Sequence, residues 1–475
     1  MRNAMIRPIE IPFSWGGALL MAIVLGILAA WMPLAIPALV AVASALFVAL
    51  VLFRHPFAGF ILYLCLIPFH SGMHAYMEHG LNAPSILMLP VTAWKEGIIA
   101  ILAIRWALES WLRPERARSY RVTLLDAAIA ASLAVAVVLA LSAPSLSAGL
   151  YGVRNNFFGY AVYFLARWVG EDPHFDGLRL AKSLLAVAIV EALFAITAYF
   201  AWGTDYFTML GLIDENGLPL VSNMLAIVNI PRAIGTFSSA NELGMYLALA
   251  IVLLQAFFRQ KIRPLVSYTL FGILLLTLLL TVSRSAALAL MLFGLLAMRR
   301  ERLVPTVTAS VLAFALILIV VQSLGLMDYL MLSFSLSDPS SIGHISSLAD
   351  SLSYWLQHPF GIGSGMVGPR AIKLGLTDPT MPHPESFFLL LLLENGVQGF
   401  LAYLLALCSV AYFAVGLMRR GGPDSPLGHA TLGILVVTSV ISGLLPIMQN
   451  IVATSYLWGF AGLVTSRYLN HRNRQ

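Results

Sequence analysis

The chain has 475 residues, 60% of them hydrophobic and 11% charged, with a formal net charge of +6 and a mean hydropathy of +0.87. Soluble domains run about 45–50% apolar and about 25% charged, so this chain lacks the polar residues to clothe a water-exposed surface. That excludes an aqueous globular enzyme, a disordered chain and a nucleic-acid binder, and leaves an all-α polytopic membrane protein. The two cysteines, Cys65 and Cys408, sit in apolar runs and imply no disulfide framework.

A spanning helix needs roughly 20 mostly apolar residues. In chain order, hydropathy predicts segments over 14–32, 34–53, 56–70, 84–104, 124–142, 150–166, 180–202, 236–258, 265–282, 285–298, 304–324, 385–417, 429–447 and 450–466. The count is about 12–14, because 56–70 and 285–298 are short. The run 385–417 is too long for one untilted span; it reads as a short helix at 385–394 leading into a span from about 397, broken at Gly396 and Gly399. All of this is expected to form a single integral-membrane domain over 1–475, with a large loop at 325–384 inside it. Within that loop Ile342, Ile345, Leu348, Leu352, Trp355 and Leu356 recur at helical spacing, which predicts an amphipathic helix on the membrane surface or over the spans.

Cytoplasmic loops retain Lys and Arg. With the N-terminus inside, 22 of the 28 basic residues fall on inner loops; Arg154, Arg232, Arg284, Arg370 and Lys373 fall outside, and Lys95 lies within a span. Both termini are therefore expected in the cytoplasm, and the first span, after Arg2 and Arg7 with no small-residue cleavage site, reads as a retained signal-anchor. The longer outer loops mark the outer face as the functional side.

Charges in or beside a membrane are functional candidates by default. Four constellations fall on the outer face. Arg232 precedes a Gly-, Ser-, Thr- and Asn-rich helix start ending at Gly244, so free N–H groups there would add to the cation in an anion site; an N-cap with a snorkelling arginine is the structural alternative. Ser283-Arg284-Ser285 lies between two apolar runs, where a guanidinium pairs with a carboxylate or grips phosphate oxygens bidentately. Pro359-Phe360-Gly361-Ile362-Gly363-Ser364-Gly365 offers close backbone approach to a ligand. Pro382-His383-Pro384-Glu385-Ser386 carries two groups able to accept a proton from an attacking hydroxyl, or else a first-turn carboxylate and an interfacial histidine. Glu394, deeper in the following run, is expected to pair with a cation.

Taken in order, Arg232 to Gly244, Ser283-Arg284-Ser285, Pro359 to Gly365, and His383 followed by Glu394 to Gly399 resemble the O-antigen ligase and Wzy-type polysaccharide polymerase superfamily over roughly residues 225–420. The resemblance implies a C-type glycosyltransferase-like helical fold in the bacterial inner membrane, with the active site on the periplasmic face and 325–384 as a periplasmic loop. It implies a metal-independent, cofactor-free transferase whose donor is a glycan on undecaprenyl diphosphate. Arg232 and Arg284 match the family's diphosphate-binding arginines, and His383 matches its loop histidine. Many relatives continue with Asn where this chain has Pro384 and Glu385, so His383 and Glu385 stand jointly as the proton acceptor.

Arg154, His344, Arg370, Lys95 and Glu394 are secondary candidates, and Lys95-Glu96 is expected to form a buried ion pair with another helix or to meet a lipid phosphate. The expected reaction is polymerisation of lipid-linked repeat units. The alternatives are ligation to lipid A-core and, from another class, a lipid-linked glycan flippase. Expected partners are the lipid-linked glycan, membrane lipids, a flippase and a chain-length regulator, with no nucleic acid.

Overall fold

The computed structural model describes residues 47–112, 120–143, 145–172, 174–214, 217–220, 223–225, 230–258, 261–297, 339–368 and 381–472. The expected spans at 14–32 and 304–324, and most of 34–53, lie outside them. Contacts divide the chain into two units, Met1–His55 and Pro56–Gln475. Of the first, residues 47–54 are described and helical.

The described residues of the second unit are mostly helical. Its elements are α1 (Pro56–Leu66), α2 (His70–Ala75), α3 (Ser85–Leu112), α4 (Leu124–Leu141), α5 (Leu146–Val169), α6 (Gly177–Ala201) and α7 (Asp205–Met209). A two-residue ladder follows, β1 (Met224–Leu225) against β2 (Ile230–Pro231), antiparallel. Then come α8 (Ala240–Phe258), α9 (Pro264–Thr281), α10 (Arg284–Ala297), α11 (Pro339–Gln357), α12 (Phe387–Arg420), α13 (Ser425–Leu444) and α14 (Ile451–Arg472). Each expected segment from 56 onward that is described is largely helical, most with ends within a few residues of those expected; α3 runs eight residues further, to Leu112, and α14 six further, to Arg472.

Among the described residues, eight helices are long and apolar enough to cross a membrane, and α10 is a shorter apolar helix. The chain is therefore an all-α, multi-pass membrane protein. In α12 the interruption falls at Gly396 (φ 65°, ψ −176°), while Gly399 stays helical. The amphipathic helix expected in the long loop is α11, which packs on α12.

Neither α5 nor α14 is among the eight, because polar residues interrupt both. They are held inside the bundle instead. From Val452 to Ser466 every residue of α14 is buried, so its Ser and Thr residues face protein rather than lipid. Ser455 Oγ, for example, lies 2.7 Å from Tyr63 Oη of α1. The two helices pack closely because the contact uses small residues: a Cβ on Gly159 of α5 would come 2.2 Å from the Trp458 ring.

One buried ion pair closes an end of this core. Arg167 of α5 is 1% exposed, and its Nη1 donates at 2.5 Å to Asp126 Oδ1 of α4. Tyr163 Oη donates to the same oxygen at 2.9 Å, and Thr123 and Asp126 form a capping box at the start of α4. Because a buried ion pair broken from one side leaves the other charge stranded, Arg167→Met is expected to cost about 3–5 kcal/mol. Thermal unfolding of the detergent-solubilised protein checks this: the single variant falls in Tm, and Arg167→Met with Asp126→Leu recovers part of the fall.

Candidate functional site at one end of the bundle

The first motif is held from beneath by a carboxylate. Glu191 of α6 is fully buried; the Thr236 N–H donates to its Oε1 at 2.7 Å and the Thr236 hydroxyl to its Oε2 at 2.9 Å. Gly235 makes this possible. Its φ is +56°, and a Cβ there would stand 2.1 Å from Glu191 Oε1. Tyr206 Oη donates to the Gly235 carbonyl at 2.7 Å; burial, with the Glu191 charge nearby, pushes that phenol above its ordinary value, so it remains a donor.

Clamped this way, the strand-like segment carries Arg232 to the turn between α9 and α10. Arg232 Nε donates to the Thr281 carbonyl at 2.8 Å and Nη2 to Asn241 Oδ1 at 2.9 Å. The Ala233 N–H reaches the Leu280 carbonyl at 3.0 Å. The turn has Val282 in the left-handed region (φ 49°), and Ser283 Oγ donates to Asn241 Oδ1 at 3.2 Å. Arg284 follows as the first residue of α10 and is exposed. Arg232 thus closes the turn that presents Arg284, so the first two motifs are one structural unit.

The helix start itself differs from the expected free anion site. Ser238 Oγ donates to Glu242 Oε2 at 2.6 Å, and the Glu242 N–H to Ser239 Oγ at 3.3 Å. The helix caps itself with its own acidic residue, which opposes an anion there. The Arg232 guanidinium donates to the α9–α10 turn and to Asn241 rather than joining free N–H groups around an anion.

The third and fourth motifs interlock through the break in α12. A non-helical Gly396 frees the carbonyls of Leu393 and Glu394 and the N–H of Val397. The glycine loop takes all three: Ile362 N–H donates to Leu393 O at 2.9 Å, Gly363 N–H to Glu394 O at 3.1 Å, and Val397 N–H to Pro359 O at 2.9 Å. The Glu394 side chain, 1% exposed, accepts from Asn156 Nδ2 of α5 at 2.6 Å and from the backbone N–H groups of Gly365 and Val367. Gln449 Nε2 donates in turn to Asn156 Oδ1 at 3.0 Å. The partner expected for Glu394 was a cation; its partners are amides, which solvate a carboxylate through three donors without a counter-charge. The glycine loop is therefore wrapped around protein, and a Cβ on Gly365 would lie 2.1 Å from the Ala148 carbonyl.

His383 and Glu385 lie just before α12, whose N-cap is Ser386. The Ser347 hydroxyl of α11 donates to the His383 carbonyl at 2.5 Å and accepts from the Glu385 N–H at 3.3 Å. A cavity of about 560 Å³ opens between α11 and this segment, lined by His383 and Glu385 among others. His383 is exposed and Glu385 half-buried.

All four motifs share one end of the bundle. Ser386 Oγ donates at 3.1 Å to the Ser442 carbonyl near the end of α13. The segment after α13 and the start of α8 then line a second cavity of about 220 Å³, which includes Asn241, the Arg232 partner. Neither arginine lines the larger cavity.

The other candidates sort differently. Arg154 forms an ion pair with Glu96 of α3, and Lys95, 7% exposed, lies 2.9 Å from His70 Nε2 and 3.5 Å from Glu96 Oε2. The pairing expected for Glu96 with another helix is thus made to α5. His344 belongs to α11, with its side chain outside what the structure describes, and Arg370 lies outside the described residues. Sequence reasoning missed Glu191, Asn156 and Gln449; a lone carboxylate in the middle of a span was the available signal for Glu191.

Residues 269–404 match a family model described as O-antigen ligase. The chain is also 24% identical over 347 residues to a Salmonella muenchen protein named O-antigen polymerase, covering 71% of this chain and 86% of that protein. Both matches support the O-antigen ligase and Wzy-type polymerase superfamily. The family match runs from α9 through the kink of α12, so it takes in the Arg284 turn, the glycine loop, His383, Glu385 and Glu394.

Replacing Glu394 by Leu strands two buried N–H groups and the Asn156 amide, at about 1–3 kcal/mol for each donor. Glu394→Gln keeps an acceptor oxygen and is expected to lose less. Tm and protease cleavage in the 359–368 loop measure the difference; equal behaviour of the two variants and wild type would remove Glu394 as the anchor of that loop.

Proposed function

We propose that this chain is a glycosyltransferase of the bacterial inner membrane that polymerises undecaprenyl-diphosphate-linked repeat units at the periplasmic face. The observation that carries the reading is the gathering at one bundle end of an arginine unit and a polar cavity containing two proton-accepting groups. The distribution of basic residues, from which both termini are expected in the cytoplasm and that end outside, supports the same orientation.

In this mechanism Arg284, on the turn secured by Arg232, binds the donor diphosphate and offsets the charge that grows on it. His383 or Glu385 takes the proton from an acceptor sugar hydroxyl. The hydroxyl oxygen bonds to the donor's anomeric carbon as the bond from that carbon to the diphosphate oxygen breaks, and undecaprenyl diphosphate leaves. A single displacement of this kind inverts the anomeric configuration.

Polymerase and ligase use the same chemistry with different acceptors. The relative named O-antigen polymerase, aligned over most of both chains, supports the polymerase; the name of the matched family supports ligation to lipid A-core as the second reading. A flippase finds less support, since the motif residues collect at one end and the mid-span charges Lys95 and Glu96 lie together, with Arg154 paired to Glu96.

In cells lacking the protein, wild type is expected to restore a ladder of long lipid-linked glycans, and Arg284→Ala at equal protein level to abolish it. Single repeat units with wild type would overturn polymerisation, and glycan attached to lipid A-core in the same cells would establish the ligase instead.

A further inference from the structure

The helix α11 has two faces of opposite character. Ile342, Ile345, Leu348, Leu352 and Leu356 form an apolar stripe, each residue 44–66% exposed. The other face turns Ser347, Asp350, Ser353, Tyr354 and Gln357 into the cavity of about 560 Å³ whose opposite wall is Met381 to Glu385. Its size falls among small-molecule sites, about 300–1,000 Å³.

Two of the polar groups are already committed, and a third in part: Gln357 Nε2 donates to the Ser353 carbonyl at 3.4 Å, which leaves its oxygen and second N–H. Ser347 is bonded to the backbone at His383 and Glu385, which fixes the register of the helix against the candidate proton acceptors. Ser346 donates to the Gly343 carbonyl of its own helix. One turn beyond Ser347, Asp350 has no hydrogen-bond or ion-pair partner among the described residues. Tyr354 presents a ring stacked on His358, with centroids 4.6 Å apart, and Gln357 carries an exposed amide. From Asp350 to Gln357 the row runs about 10 Å along the helix.

The chemistry of this row selects its ligand. Asp350 sets an exposed carboxylate on the cavity wall, which disfavours an anionic phosphate beside it. A carboxylate that accepts hydroxyl protons, an amide that donates and accepts, and an aromatic ring able to cover a C–H face suit a neutral polyhydroxylated ring. In the transferase reading the diphosphate belongs to the arginine unit, and neither Arg232 nor Arg284 lines this cavity.

We propose that Asp350, Tyr354 and Gln357 form a saccharide subsite that selects the acceptor sugar and presents its hydroxyl to His383 and Glu385. The acceptor role rests on the transferase reading above, whereas the recognition of sugar does not. Asp350 and Gln357 are specificity-determining, and Ser347 positions the subsite against the reacting groups.

The test uses the full chain in lipid nanodiscs and a panel of methyl glycosides: glucoside, galactoside, mannoside, rhamnoside and N-acetylglucosaminide, with methyl phosphate as the anionic probe. Saturation-transfer NMR is expected to detect at least one glycoside in preference to methyl phosphate. Asp350→Ala with Gln357→Ala is expected to weaken it about tenfold, the loss that follows from removing one charge-assisted hydrogen bond, with Tm unchanged because both side chains are exposed. Arg284→Ala is expected to bind the glycoside as wild type does. No glycoside signal, or a signal that the double variant leaves intact, overturns the subsite. In the cellular assay the double variant is expected to shorten the ladder; a full-length ladder overturns the acceptor assignment. Glycoside binding that depends on Asp350, in a protein that neither polymerises nor ligates, would sink the transferase reading and leave the saccharide subsite standing.

Discussion

Irregular backbone buried inside a membrane protein must have its peptide groups satisfied by the protein itself. Two buried carboxylates meet that demand here. Glu191 accepts the N–H and hydroxyl of Thr236 where the chain enters α8, and Glu394 accepts the N–H groups of the glycine loop beside the break in α12. Glu191 sits within a regular helix and Glu394 just before the break in α12, and each holds a non-helical motif in place. The arginine turn and the glycine loop depend on these two acceptors, and the arrangement of the site follows from them.

The site has two parts of different construction. Arg232 is half-buried and bonded into the α9–α10 turn, so its role is first to shape that turn, with exposed Arg284 as the group that meets solvent. His383 and Glu385 belong to an extended segment that one serine of α11 ties down. A charge-bearing turn fixed by several hydrogen bonds suits a diphosphate that must be held in one place. A polar cavity under an amphipathic helix suits a glycan, whose many hydroxyls ask for adaptable contacts rather than a single rigid clamp.

How much of this was legible in the sequence depends on the range of the interaction involved. Hydropathy located the long apolar helices among the described residues, because burial in lipid or protein is written residue by residue into the apolar runs; α11 was readable from its amphipathic spacing, and the short α2 and α7 were not. The break at Gly396 was readable from a run too long to span. Gly399 looked like a second break and is helical, since nothing in a local pattern says which glycine the glycine loop will meet. Glu394 looked like half of an ion pair; its amide partners, Asn156 and the loop N–H groups, come from residues 238 positions earlier and about 30 earlier, and no local spacing encodes them.

The sequence by itself determined that the chain crosses a membrane many times, where its helices run, and which four motifs break the apolar pattern. These follow from the transfer free energy of each side chain, a property local to the residue. Tertiary structure alone decided that Arg232 serves the turn of Arg284, that Glu191 and Glu394 are backbone acceptors, and that the polar face of α11 looks into the cavity beside His383 and Glu385. Those outcomes depend on which helices are neighbours, and neighbours are chosen by packing of surfaces far apart in the chain.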